Sequence, residues 1–205
     1  MTAVRIAGLI LAGGRSRRFA GEPKETAPLN GLTLMDHVIA RARPQVSVLA
    51  VSRGDAAAPP VDGVLSIPDI YQGCGPLGGL HAGLVWSASL VPTPDYLATF
   101  ACDTPLIAEN LVARLLGEIR RIGAVAAIAC VGDDLHSTLG LWSPALAQAA
   151  EQRLKAGALS LKGFAKDVSA AHAGFEDPDG TAFFNVNTQE DLAALKARVD
   201  KTIRK

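Results

Sequence analysis

Short apolar runs alternate with longer amphipathic stretches along this chain, which predicts βαβ units feeding a mostly parallel sheet. Runs of strand length occur at 4–11 (VRIAGLIL), 46–52 (VSVLAVS), 64–67 (VLSI), 96–102 (YLATFAC) and 124–130 (AVAAIAC). Helical spacing covers 33–43, 76–89, 110–121, 144–156 and 189–199. Two more short strands are expected late in the chain, at 135–142 (LHSTLGLW) and 182–186 (AFFNV). Gly and Pro clusters at 54–60, 73–79 and 177–180 mark loops. No repeat, low-complexity tail or interdomain linker breaks the pattern, so 1–205 reads as one α/β domain. In an open α/β sheet, ligands gather at the carboxyl ends of the strands. Chemistry is therefore expected just after the strands.

Composition narrows the classes. The chain has 205 residues, 49% of them hydrophobic, which suits one compact core. Twenty basic residues balance 20 acidic ones. No global field then favours nucleic acid or an anionic membrane, and neither is expected as a partner. Cys74, Cys102 and Cys130 lie far apart with no C-x-x-C pair. That argues against a zinc site or a disulfide framework and favours a reducing cytoplasm. The N-terminus lacks the design of a signal peptide, and no apolar run approaches the roughly 20 residues of a membrane helix. A cytoplasmic protein is expected.

Electrostatics must then be local, and it concentrates after the first strand. Gly13 and Gly14 follow that strand directly, and Arg15, Arg17, Arg18 and Lys24 come next. Glycine lets the backbone approach a ligand without a Cβ in the way. Exposed N–H groups in such a turn form an anion-binding concavity, to which Arg18 and Lys24 can add charge-assisted hydrogen bonds. A surface turn with solvated arginines is the plain alternative. The stretch is neither a P-loop, lacking G-x-x-x-x-G-K-[ST], nor a G-x-G-x-x-G fingerprint. GCGPLG (73–78) matches that fingerprint literally, but the preceding strand, VLSI, ends about six residues too early.

Further along, FACDTP places Asp103 at the carboxyl end of a strand, where one carboxylate and phosphate oxygens can hold Mg²⁺. A helix cap before ENLVARLL is the other reading of Asp103. Asp69 in IPDIYQ, taken by itself, reads as a turn residue. Asn187, three residues before Glu190, suits a cap for the last helix. His37, His81 and His172 show no ligand spacing.

The motifs together resemble a known family. LAGGRSRRFAGEPK (11–24) resembles the signature loop L-A-G-G-x-S-x-R-M-G-x-x-K of nucleotidyltransferases, and is most similar to that of the MobA-like molybdenum cofactor guanylyltransferases. Phe19 stands for the usual Met, Ala20 for Gly, and Pro23 for an Asp before the lysine. GPLGGL (75–80) resembles G-P-L-A-G-[IL], with Pro76 at a favoured helix start. CDTP resembles C-D-x-P. FFNVNTQEDL resembles F-x-N-[VI]-N-T-P-E-[DE]-L, with Gln189 for Pro, and HSTLGLW (136–142) resembles H-P-x-x-x-L-[WY].

The resemblance implies a three-layer, Rossmann-like nucleotidyltransferase fold. It implies transfer of GMP from GTP to molybdopterin, with or without bound molybdenum, and release of pyrophosphate. Arg18, Lys24 and Asp103 would serve catalysis, with Asp103 holding Mg²⁺. Leu11, Ala12, Gly13, Gly14, Lys24, Asp69, Gly75, Pro76, Leu77, Gly78 and Asp103 would meet the nucleotide, and Asn185, Asn187 and His136 the acceptor. Molybdoenzymes or other cofactor-synthesis proteins are implied as further partners. A cytidylyl- or sugar-phosphate nucleotidyltransferase, or a nucleotide-binding module without turnover, fits the same features.

Overall fold

The structure is a computed structural model that describes residues 3–12, 24–54, 61 and 63–203. In chain order its strands are β1 (Ile6–Leu11), β2 (Pro28–Leu29), β3 (Leu32–Thr33), β4 (Val48–Arg53), β5 (Leu65–Pro68), β6 (Tyr96–Ala101), β7 (Ala126–Val131), β8 (Asp134–Trp142) and β9 (Ala171–Gly174). The helices are α1 (Leu34–Ala42), α2 (Gly75–Ala88), α3 (Leu111–Ile122), α4 (Ala147–Lys155), α5 (Leu161–Asp167) and α6 (Gln189–Ile203). Seven strands form one sheet in the order β5-β4-β1-β6-β8-β7-β9, and β2 pairs with β3 in a separate hairpin. Within the sheet only β8 is reversed, antiparallel to β6 and β7. Its N-terminal half thus joins the carboxyl ends of the other strands at one edge.

Continuous apolar runs become strands here because helices cover both faces. Ile6 and Ile10 of β1 pack with α1 and α3, while Ala7, Leu9 and Leu11 pack with α2, α4 and α5. Thr33 starts α1 with a capping box: its hydroxyl accepts from Asp36 N–H, and Asp36 accepts from Thr33 N–H. Gly123 closes α3 at φ 69°. Helix α2 lies unusually close to the sheet. A Cβ at Gly79 would come within 2.7 Å of Ser52 Oγ and 2.9 Å of Leu11 Cδ2, and one at Gly83 would strike Leu9. The two glycines, one turn apart, let the start of α2 sit directly over the tips of β1 and β4.

A third, smaller core lies at the site edge. It joins Ala27 and Leu29 of the hairpin region, Leu34, Val186, and Leu192 and Leu195 of α6. The expected strands at 4–11, 46–52, 64–67, 96–102, 124–130 and 135–142 form with shifts of a few residues at their ends. The expected helix at 144–156 opens with a 3₁₀ turn over Pro144–Leu146. The strand expected at 182–186 does not form. Val186 N–H donates to Asp103 O, and the Asp177 carboxylate accepts from the backbone of Thr181, Ala182 and Phe183. The segment is held by point contacts rather than a ladder. Helix α5, strand β9 and the β2–β3 hairpin were absent from the sequence reading, each being seven residues or fewer.

Candidate functional site

Strand β1 leaves the sheet clamped between its neighbours. Ala12 N–H donates to Ser52 O (3.0 Å), and Cys102 N–H donates to Leu11 O (3.3 Å). The glycine loop begins at the next residue. Gly13, Gly14 and Arg18, with the departures Phe19, Ala20 and Pro23, lie outside the described residues. Beside this exit a cavity is lined by Leu11, Ala12, Lys24, Asp69, Gly75, Pro76 and Asp103 from the expected set. The sequence reading also missed several of its walls, chiefly Glu25, Ser52, Gly79 and Thr138. The three strand tips and the head of α2 therefore enclose one space.

One side of this space is a charged cluster. Lys24 Nζ lies 2.7 Å from Asp103 Oδ2 and 3.2 Å from Asn187 Oδ1. Packing explains how residues 79 and 163 positions apart in sequence meet. Lys24 is tethered through Ala27, and Asn187 through Val186, to the same small core. Asp103 completes the arrangement by accepting Val186 N–H at its backbone carbonyl, 2.8 Å away. Thr104, fully buried, donates its hydroxyl to Asn185 Oδ1 (2.6 Å), clipping the asparagine segment to the β6 turn. The cap of α6 sits one residue later than expected. Asp191 accepts from Asn187 and Thr188 N–H, and Thr188 Oγ1 accepts from Asp191 N–H. Asn187 is thereby freed from capping and turns its side-chain oxygen to Lys24.

The other side is built around a buried acid. Asp69 follows β5, is only 7% exposed, and accepts a short hydrogen bond at Oδ1 from the hydroxyl of Ser52 on β4. Burial pushes its carboxyl above the ordinary range, and the Ser52 hydrogen bond opposes that rise. Gly75 begins α2 at φ +62°, a conformation that favours glycine. The N-cap residue, Cys74, makes no side-chain cap bond, and the first helical residues, Gly75 and Pro76, line the cavity.

The remaining expected residues divide. Leu77 is fully buried in the core under α2, and Gly78 backs Asp69; neither is among the residues lining the cavity. The ring of His136 packs on Phe183, with centroids 5.1 Å apart, away from the cavity wall, and burial lowers its basicity. Thr138 reaches the cavity through an irregularity in β8. Ile128 opposes Gly140 while the next residue, Ala129, opposes His136, so residues 137–139 bulge from the ladder. Cys102 also lines the cavity; its thiol packs against the core, and burial, with Asp103 beside it, pushes the thiol far above its ordinary range, the opposite of an activated nucleophile. His37 bonds Leu29 O, and His81 is buried against Tyr71, as ordinary packing residues.

Among the described residues no group of three or more His, Cys, Asp or Glu could hold a metal ion. Asp103 alone offers a carboxylate in the charged cluster, and the Lys24 ammonium already seated on its Oδ2 shows that a cation fits there. Mg²⁺ asks for little more when phosphate oxygens and water complete its shell.

A sheet-edge cavity with a helix start on one side and a lysine–aspartate pair on the other defines a nucleotide-handling α/β fold. The model of the MobA-like NTP transferase domain matches residues 8–172, and the chain belongs to that family. It is 40% identical over 201 residues to the molybdenum cofactor guanylyltransferase of Cereibacter sphaeroides, covering 97% of this chain and 99% of that protein. The solved molybdopterin-guanine dinucleotide biosynthesis protein A of Archaeoglobus fulgidus shares the fold with a TM-score of 0.74 at 20% identity, over 95% of this chain and 99% of that one. Rv0371C of Mycobacterium tuberculosis, solved in complex with manganese, has a TM-score of 0.64 at 20% identity, over 95% and 99% of the two chains.

Proposed function

We propose that this protein transfers GMP from GTP to the phosphate of molybdopterin, with release of pyrophosphate and dependence on Mg²⁺. The observation that carries the reading is the Lys24–Asp103 pair, which lines the same cavity as the buried Asp69 and is joined by Asn187 through Lys24. Near full-length similarity to a molybdenum cofactor guanylyltransferase supports the choice of reaction. The three cysteines are free, in keeping with a reducing cytoplasm as the place of action. We read the chain as one nucleotidyltransferase domain, a reading supported by the single seven-stranded sheet of the described residues.

In the reaction an oxygen of the acceptor phosphate attacks the α-phosphorus of GTP. The bond from that phosphorus to the α,β-bridging oxygen breaks, and the electron pair leaves with pyrophosphate. The attacking phosphate is already an anion near pH 7, so no general base is required. Positioning and charge neutralisation supply the rate. The family resemblance assigns Gly13, Gly14 and Arg18 to the triphosphate. Lys24 swings from Asp103 to the phosphates as the nucleotide enters, keeping one neutralising contact throughout. Asp103 is the residue that would hold a divalent ion beside the phosphates, and such an ion would supply charge neutralisation for the departing pyrophosphate. Asn187, bonded to Lys24, and Asn185, bonded to Thr104, would meet the acceptor, with His136 further along β8.

Base choice follows from Asp69. An ionised carboxylate only accepts hydrogen bonds. Guanine presents two adjacent donors, N1–H and N2–H₂, whereas cytosine sets one amino group beside an acceptor nitrogen that would face the carboxylate. The guanine edge is the better match. Incubation with GTP, Mg²⁺ and molybdopterin, with pyrophosphate as the readout, tests the reading. Release with GTP supports it; release with CTP but not GTP, or binding without release, contradicts it.

A further inference from the structure

The Ser52–Asp69 pair is more elaborate than holding an acid in place requires. Ser52 is 2% exposed at the carboxyl tip of β4, and its hydroxyl donates to Asp69 Oδ1. Room for that hydroxyl exists only because residue 79 is glycine; a Cβ there would stand 2.7 Å from Ser52 Oγ. The second carboxylate oxygen, Oδ2, lies over the first turn of α2, 3.7 Å from where a Cβ of Gly78 would be. Ser52, Asp69 and Gly79 all line the cavity, and among the described residues the other charged groups lining it are Lys24, Glu25 and Asp103. Three elements, β4, the β5–α2 loop and α2, thus converge to give one carboxylate a single orientation.

We propose that Ser52 is the positioning residue for base selection: its hydroxyl fixes the plane of the Asp69 carboxylate so that both oxygens face the paired donors of guanine. The inference rests on the guanine reading above and adds a residue to it. A carboxylate on a freely turning χ2 would still accept one hydrogen bond, from N1–H. It would lose the planar match to two donors, and with it the contribution of the 2-amino group. Ser52 makes no contact with the base and acts only through Asp69.

The test compares binding of GTP and of inosine triphosphate, which keeps N1–H and lacks the 2-amino group, with Mg²⁺ present. The wild-type chain, Ser52→Ala, Asp69→Asn and the double variant are each titrated by calorimetry, with melting temperature as the folding control. Ser52→Ala is expected to weaken GTP about tenfold, the scale of one hydrogen bond to a charged group. Inosine triphosphate should fall no more than about threefold, since one acceptor contact survives. In the Asp69→Asn background, Ser52→Ala should add nothing, because the residue through which it acts is gone. Equal losses for both nucleotides, no loss at all, or the same loss with and without Asp69 would overturn the role of Ser52. A wild-type chain that takes GTP no better than inosine triphosphate overturns the guanine reading itself, and this inference with it. A wild-type preference unchanged by Ser52→Ala removes the inference alone.

Discussion

Of the three carboxylates that line the cavity among the described residues, Asp69 and Asp103 sit in opposite settings. Asp69 is buried, bonded to an uncharged hydroxyl, and held above the ordinary carboxylate range by desolvation. Asp103 keeps 22% of its side chain exposed and carries an ammonium at 2.7 Å. The first environment suits recognition of neutral donors, because the hydrogen-bond partner of Asp69 among the described residues is a hydroxyl and not a cation. The second suits exchange of one cation for another. The same functional group therefore does two jobs, separated by burial and by the nearest partner rather than by residue type.

Removing Asp103 should break the comparison most severely. Asp103→Ala is expected to abolish turnover, a loss of at least about 3–4 kcal/mol of transition-state stabilisation, with the melting temperature maintained. Pyrophosphate release checks it; near-normal rates would take Asp103 out of the metal site. Lys24→Ala should cost about 2–4 kcal/mol in turnover. It should also strengthen Mn²⁺ binding in the absence of nucleotide, measured by electron paramagnetic resonance, because the resident cation on Asp103 is gone. A turnover loss under about 0.5 kcal/mol would mark Lys24 as ordinary surface.

Asp69→Asn sharpens the contrast from the other side. It should cost about 1–3 kcal/mol of preference for guanine, the scale of one bidentate base contact. Its effect on stability has the opposite sign. The folded pKa of Asp69 is raised above the unfolded value, so in the window between them the native state binds more protons, and stability falls as pH rises through it. Burial makes the charged form of Asp69 a cost to the fold, and Asp69→Asn is expected to hold or raise the melting temperature. Affinity for GTP should likewise decline as pH falls through the raised pKa, where the acceptor becomes a protonated acid. A melting temperature lowered by several degrees in Asp69→Asn would contradict this account. The smallest effect belongs away from the cavity. Thr33→Ala removes the α1 capping box and should cost about 1 kcal/mol of stability in a denaturation series, with GTP affinity retained.

The two halves of the site were unequally legible in the sequence. Asp103 and Lys24 are announced by motifs that sit directly after strands, and the strands themselves are apolar runs long enough to read, as in β1 and β6. Asp69 had a motif position, but its partner did not. A lone Ser at the end of VSVLAVS is indistinguishable from any strand-end hydroxyl until the fold brings β4 beside the β5–α2 loop. Thr138 was hidden for a related reason, since the bulge that presents it is a property of the β7–β8 register. AFFNV misled in the opposite direction. Its apolar residues bury against two different clusters, Phe183 beside Phe175 and Val186 beside α6, rather than along one ladder. The cap of α6 moved to Thr188 and Asp191 because Thr188 is the residue directly before the first helical turn, which leaves Asn187 for the site.

The most direct test of the central claim, that a polyanionic nucleotide and a divalent ion meet at Lys24 and Asp103, is a calorimetric titration of GTP with and without Mg²⁺. The expected result is tight uptake with Mg²⁺, much weaker uptake without it, and loss of the magnesium dependence in Asp103→Ala. Uptake of GTP indifferent to Mg²⁺ in the wild-type chain, or magnesium dependence that survives in Asp103→Ala, would contradict it.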